Sequence, residues 1–294
     1  MQSSREILML LFSIPLYSVL ILVEIFLSNW KEHRYYSLTI TLQNIYLTLL
    51  NAGLDILLRG LFYVAVLMWC FQHRFFAIDN IYFYWIFLFL LEDLAFYAEH
   101  YADHYCRLFW AVHVTHHSSA EFNLTTGFRS SVLQPVYRFI YFIPIAFIGF
   151  HPLDIIFMYS LTQTYGILVH TQYIKKMPIW FEAVFVSPSH HRVHHASNIL
   201  YLDRNMGMCL IIWDKIFGTF QQEIESDPVI YGLSKPLKND GSPVNIVFHE
   251  WKSLAKDLQK KTSVSNRIKY LLMPPGWSHD GTSKTASQLR KDYQ

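Results

Sequence analysis

Fifteen histidines occur in this chain of 294 residues, and nine of them fall within residues 100–117 and 190–195. Their spacings repeat. His100-Tyr-Ala-Asp-His104 is an HxxxH, and both His113-Val-Thr-His116-His117 and His191-Arg-Val-His194-His195 are HxxHH. Residues at i, i+3 and i+4 project from one side of a helix, so each cluster can aim two or three imidazoles at a common point. Ser187-Pro188 offers a capping residue and a first-turn proline, so the third cluster opens a helix. The three clusters supply eight ring nitrogens, and His170 a ninth. A catalytic zinc site takes about three protein ligands and a structural one about four. Eight or nine imidazoles therefore suit two metals better than one. Neutral imidazole serves iron, zinc and copper alike, so ligand type does not select the metal.

Other chemistries are absent from the sequence. There is no HExxH, no GxGxxG loop and no P-loop. A pH sensor uses clustered histidines but has no need of a repeated spacing. His33, His73, His151, His249 and His279 stand alone and read as ordinary surface or core residues, and His190 as a neighbour of the ligands rather than one of them. Cys70, Cys106 and Cys209 are far apart in apolar surroundings and read as packing residues. A net charge of +2, with no Lys/Arg block, speaks against a nucleic-acid partner.

The elements that must position these histidines are membrane helices. The composition is 52% hydrophobic and only 16% charged, which points away from a soluble enzyme. Residues 7–28 are apolar over the length of a bilayer crossing and read as a retained anchor. A second span lies within residues 52–71 and carries Asp55 and Arg59 at i,i+4. A third begins near Ile81 and turns polar without a helix breaker, placing Asp93, Tyr97, His100 and His104 on one face. Carboxylates at such a depth are costly and usually functional. Apolar character returns over residues 132–150, turns at His151-Pro152 and continues over 153–170 as a tilted or re-entrant hairpin. The hairpin leaves and returns on one side, so both histidine windows can meet. Arg107, Arg129, Lys175, Lys176, Arg192, Arg204 and Lys215 share that side, as do Lys31 and Arg34 in a 29–51 loop, which makes it cytosolic. From about Gln221 the chain is polar, with an amphipathic helix at 249–261 against the main body. The expected fold is all-α: an integral-membrane helical bundle, with about four to five spans or a re-entrant hairpin, under a cytosolic helical cap that holds a His-rich dimetal site. Its parts are N-terminal transmembrane helices (1–80), a catalytic domain (81–220) and a cytosolic tail (221–294).

The boxes, in this order and with an apolar hairpin between the second and third, resemble the sterol desaturase / fatty acid hydroxylase superfamily. The resemblance covers roughly residues 85–280. Residues 113–126 (HVTHHSSAEFNLTT), His170-Thr171, 187–195 (SPSHHRVHH), 212–220 (IWDKIFGTF), Tyr231-Gly-Leu-Ser and Pro274-Pro-Gly-Trp are similar to its alkylglycerol monooxygenase branch, which cleaves glyceryl ethers. The resemblance implies two iron ions, with zinc a possible substitute in purified protein, held by His100, His104, His113, His116, His117, His191, His194 and His195, with His170 a further ligand. Some relatives carry another histidine where this chain has Gly166. It implies an O2-dependent lipid monooxygenase: hydroxylation beside an ether oxygen gives a hemiacetal that falls apart to an aldehyde and glycerol. Electrons then come from a separate donor: a reduced pterin, a cytochrome b5-like protein or a ferredoxin. Asp93, Asn123 and Asp203 are the candidates to receive the free N–H of a ligating imidazole, and Trp213-Asp214 reads as a packing motif. Two alternatives stay open: a sterol or fatty-acyl hydroxylase or desaturase of the same superfamily, and a non-redox two-zinc membrane hydrolase or metal-binding transporter. The host membrane would be the endoplasmic reticulum in a eukaryote or the inner membrane in a bacterium.

Overall fold

The computed structural model describes residues 4–237 and 242–293, and among these the regular elements are all helical. Three helices are long and apolar enough to cross a bilayer: α1 (Ser4–Trp30), α2 (Leu38–Gln72) and α3 (Ile81–Tyr105). Leu11, Phe12, Leu22 and Phe26 on α1, and Leu42, Leu49, Ile56 and Leu61 on α2, are largely exposed. Apolar surface of that extent belongs against lipid, and the chain is an integral membrane protein.

The expected second span is part of a longer helix. α2 starts at Leu38, capped by the Ser37 side chain on Ile40 N at 3.3 Å. The loop expected at 29–51 is thus confined to the few residues between α1 and α2. Asn44, Thr48 and Asn51 look like loop residues but form one polar helix face. Asn44 Nδ2 donates to Thr125 Oγ1 (3.1 Å), Thr48 to the Phe128 carbonyl and Asn51 Nδ2 to the Ser131 carbonyl (2.7 Å). Lower on α2, Asp55 and Arg59 pair as their spacing required, at 2.5 Å, and Arg59 also reaches Glu6 of α1 at 2.7 Å.

Asn80 caps α3 by accepting from Tyr82 N and Phe83 N, both at 3.0 Å. The helix then runs unbroken through its polar half to the first two metal-box histidines. α4 (Arg107–His117) turns back beside it. The hairpin consists of α5 (Pro135–Ile148) and α6 (Pro152–Leu168). At about 1.5 Å per residue both limbs fall short of a ~30 Å perpendicular crossing. At the tip, Gly149 has φ +132° and a Cβ there would lie 2.4 Å from the Phe76 carbonyl oxygen, so only glycine fits. Just after the tip, Asp154 accepts from Arg5 of α1 (2.7 Å) and Tyr84 of α3 (2.9 Å). The start of α1, the α2–α3 connection and the hairpin tip therefore meet at one end of the bundle.

The opposite end holds the histidines. There the α1–α2 connection meets the 121–126 segment: Asn123 Nδ2 donates to the Tyr35 carbonyl (2.6 Å) and Ser37 N to Glu121 (3.0 Å). α7 (Pro188–His194) begins at Ser187, whose side chain accepts from His190 N while Ser187 N donates to His190 Nδ1. That cap is the one Ser187-Pro188 led us to expect. The amphipathic helix also forms, starting earlier than expected, as α8 (Pro243–Leu258). It buries Ile246, Val247 and Leu254 and is pinned to α4 by Arg107, which donates to Glu250 (2.8 Å) and Asp257 (2.6 Å).

Candidate metal centre

The end of α3 supplies His100 and His104, α4 supplies His113, His116 and His117, and His170 follows α6. The N-terminal half of the cap completes the group through α7, with His191, His194 and the capping residue His195. Eight of the nine are buried, and His116 is half-buried. Their rings divide into two sets: His100, His104, His113, His117 and His194 in one, His116, His170, His191 and His195 in the other. Within each set the candidate ligand atoms all lie within 4.8 Å of one another.

Five rings are anchored from behind through Nδ1. His100 faces the Met206 carbonyl (2.8 Å), His104 the Asp203 carboxylate (3.1 Å), His116 the Arg129 carbonyl (3.0 Å), His170 the Gly166 carbonyl (2.7 Å) and His194 the Arg204 carbonyl (2.9 Å). An oxygen acceptor at Nδ1 requires the proton there and leaves Nε2 as a bare lone pair. The Nε2 atoms of anchored and remaining rings crowd together. His100 and His113 Nε2 are 3.1 Å apart, His113 and His117 3.2 Å, His170 and His191 2.9 Å, and His170 and His195 3.2 Å. Nε2 of His104 and of His194 is buried with no partner. A cation placed among these converging ring nitrogens would satisfy them together, including the unpartnered Nε2 of His104 and His194, so this donor set fits bound metal.

Electrostatics agrees. Burial pushes His113, His117, His170, His191, His194 and His195 well below the usual imidazole range, and neighbouring imidazoles push the same way. Burial takes His116 down to about 4. Neutral imidazole is the metal-binding form.

The three residues expected to orient the rings part company. Asp203 does hold His104. Asp93 instead accepts from Cys209 N (2.9 Å), Leu210 N (3.1 Å) and Trp213 Nε1 (2.9 Å), so its helix-face alignment with the histidines serves to pin the 206–213 segment. That segment presents the Met206 carbonyl to His100. Asn123 spends its amide on Tyr35 O and on Thr125, stabilising the loop after α4. Asp214 accepts from Met206 N (2.6 Å), Gly207 N (2.8 Å) and Thr219 (2.6 Å), which gives the Trp213-Asp214 pair its packing role. One residue escaped the sequence reading: Asp103, fully buried, sits 3.3 Å from His113 Nδ1 and accepts from Gln134 (3.0 Å) and Tyr137 (2.6 Å). Its place inside the HxxxH was the available signal.

A cavity of about 100 Å³ opens on the inner face of the rings, bounded by His100, His113, His116, His170 and His191. Gly166 borders it. A Cβ there would lie 2.2 Å from Met208 Sδ, so Met208 fills the room that a side chain at 166 would need.

Residues 85–219, which carry every one of these histidines, match the fatty acid hydroxylase family. An alkylglycerol monooxygenase of Homo sapiens is 37% identical over 195 residues, 66% of this chain and 42% of that protein. One from Caenorhabditis elegans is 35% identical over 204 residues, 66% of this chain and 39% of that protein. An ornithine lipid hydroxylase of Rhizobium tropici is 25% identical over 134 residues, 45% of this chain and 40% of that protein. The chain thus spans about two fifths of the length of the relatives it matches. No solved structure matches it. Boxes, spans and likeness agree with the match of residues 85–219 to the fatty acid hydroxylase family.

Proposed function

We propose that this protein is a membrane di-iron oxygenase that hydroxylates a lipid C–H bond, with glyceryl ethers as its favoured substrates. The observation that carries this reading is the division of nine imidazoles into two sets of converging Nε2 atoms. His100, His104, His113, His117 and His194 would hold one iron, and His116, His170, His191 and His195 the other. Bound there, the irons supply the activation of O2 and the oxidation of the C–H bond. Two electrons come from outside: a reduced pterin, a cytochrome b5-like protein or a ferredoxin.

The protein's own groups do the positioning. Met206, Arg129, Gly166 and Arg204 carbonyls and the Asp203 carboxylate hold the rings in one tautomer. Burial keeps water from the ligands. Hydroxylation of the carbon beside an ether oxygen gives a hemiacetal, whose collapse releases fatty aldehyde and glycerol. The likeness to alkylglycerol monooxygenases supports this substrate class.

The histidine end is read as cytosolic. Arg107, Arg129 and Arg192 are buried and engaged in structure, so they carry little weight in that reading. Lys31, Arg34, Lys175 and Lys176 are exposed at that end and support it.

The test is to purify the protein in detergent, measure its metals, and supply 1-O-hexadecylglycerol, O2 and a chemical reductant. Two irons per chain and O2-dependent formation of hexadecanal are expected. Aldehyde formed without O2, or full activity with zinc alone, would overturn the reading.

A further inference from the structure

We propose that Gln163 fixes the oxygen-bearing end of the substrate by donating its amide N–H to an ether or hydroxyl oxygen close to the carbon that is oxidised. The inference rests on the lipid-oxygenase reading above and names the group that would select an uncharged, hydroxylated head.

The cavity beneath the histidines has two unlike walls. Phe96, Ile167 and Met208 make one apolar, while Asn51, Ser130, Ser131 and Gln134 make the other polar. Each donor group of the polar wall already has one acceptor. Asn51 Nδ2 donates to the Ser131 carbonyl (2.7 Å), Ser130 Oγ to the Phe128 carbonyl (3.4 Å), Ser131 Oγ to the His113 carbonyl (3.4 Å) and Gln134 Nε2 to Asp103 (3.0 Å). The oxygens of that wall suit the hydroxyl protons of a polyol, and no donor group on it is without an acceptor.

Gln163 differs. It lines the same cavity, and its Nε2 is buried without an acceptor among the described residues. It lies on the α6 face that also carries Gly166, Ile167 and His170, about 10 Å below His170 along the helix axis. Its own reach brings the amide toward the space beside the rings, and a ligand oxygen there would satisfy it. Buried donors are seldom left unpaired in a folded protein. The cavity offers hydrogen bonds rather than a free charge: Arg138 donates to Gln134 Oε1 (3.1 Å) and stands between Glu99 (3.7 Å) and Asp55 (3.8 Å). A hydrocarbon would leave Gln163 as it is. An alkylglycerol would pair it.

The test compares wild type with Gln163→Met, of similar length, and Gln163→Leu. Binding of 1-O-hexadecylglycerol and of hexadecane to the metal-free protein in nanodiscs is followed by native mass spectrometry. Thermal melting and metal content serve as folding checks, so a variant that fails them is replaced by the other, or by Gln163→Ser. Loss of the amide should weaken alkylglycerol binding about ten-fold, the worth of one hydrogen bond, and leave hexadecane binding unchanged. In the metal-loaded enzyme KM should rise with kcat nearly constant. Equal loss for both ligands would place Gln163 against the tail, and no loss for either would leave it without a role; both outcomes overturn the proposal while glyceryl-ether oxidation by wild type stands. Wild type that neither binds nor oxidises alkylglycerol would overturn the substrate reading itself, and this proposal with it.

Discussion

His116 and His117 are consecutive in the chain yet belong to different nitrogen sets, with ring centroids 5.4 Å apart. His194 and His195 divide in the same way, at 5.3 Å. Adjacent positions point about 100° apart on a helix, so each His-His pair straddles two centres. Of the two or three rings that an HxxHH can aim at a common point, two do so here. His113 with His117, and His191 with His195, share a set at i,i+4; the histidine between them goes to the other set.

Two consequences can be measured together. His116→Ala and His194→Ala each leave a different set one donor short, and each should cost about half of the bound metal or more, and all activity. His116→Ala should resemble His195→Ala in the ion it loses, and His194→Ala should resemble His117→Ala. Metal content and Mössbauer spectra of iron-loaded protein check this. Unchanged metal in both His116→Ala and His194→Ala would count against two centres built from shared helices.

Asp203 and Asp93 should fail differently. Asp203 touches His104, so Asp203→Ala should weaken metal binding about 10- to 100-fold with a smaller effect on folding, while Asp203→Asn keeps an acceptor and loses less. Asp93→Ala removes the partner of two backbone amides and an indole, so it should lower the melting temperature before metal affinity. Chelator competition and thermal melts on the same samples separate the two. Equal metal loss at equal stability would remove the distinction.

What the sequence revealed of this site was local in character. The boxes, the Ser187 cap, the Asp55–Arg59 pair and the α8 amphipathic stripe all express a 3.6-residue period within one helix. What it concealed depends on which helices meet. Asn44, Thr48 and Asn51 read as loop because their acceptors, at 125, 128 and 131, lie far along the chain. Asp93 shares a face with His100, but the 206–213 segment arrives to claim it. Arg129 and Arg192 counted toward the basic side of the membrane, but acceptors from other segments fold around them. The division of the rings between two sets likewise needs the relative placement of α3, α4, α6 and α7, which no single helix encodes.

Acid should unfold the metal-free protein early. Burial holds His116 and His190 at about 4, against about 6.5 in an unfolded chain. Folded values below unfolded ones mean that the unfolded chain binds more protons between those limits. Stability is therefore fully present above about pH 6.5 and falls as pH drops toward 4. The other buried ligands shift in the same direction and steepen the loss. His190 adds a structural element, because its ring completes the cap of α7. Thermal melts of metal-free protein should be flat from pH 7 to 8 and decline from 6.5 to 5. A melting temperature constant over the lower range would contradict this account.

Arg129 tests how far the second set depends on the loop behind it. The side chain is 2% exposed. It donates through Nε to the Thr115 carbonyl (3.0 Å), through Nη2 to Ser118 Oγ (2.8 Å) and through Nη1 to Asn44 Oδ1 (2.9 Å), while its own carbonyl holds His116 Nδ1. It thereby ties α2, the end of α4 and the following loop into one unit. Arg129→Met would leave Asn44 Oδ1 without this donor and remove the guanidinium from Thr115 O and Ser118 Oγ, which keep their own bond at 2.7 Å. A buried group left unpaired costs about 1–3 kcal/mol before relaxation. A loss on the order of 3 kcal/mol is expected, read as a shift in denaturant or thermal midpoint. Lysine would not rescue it, because one ammonium cannot reproduce the planar fork that reaches three acceptors. The orienting carbonyl belongs to the backbone and survives the substitution, so metal loss in Arg129→Met can arise only through movement of the loop. It should therefore fall on the ion of His116, His170, His191 and His195 before the other. Loss spread evenly over both ions would mean that the loop supports the whole cap and not one centre.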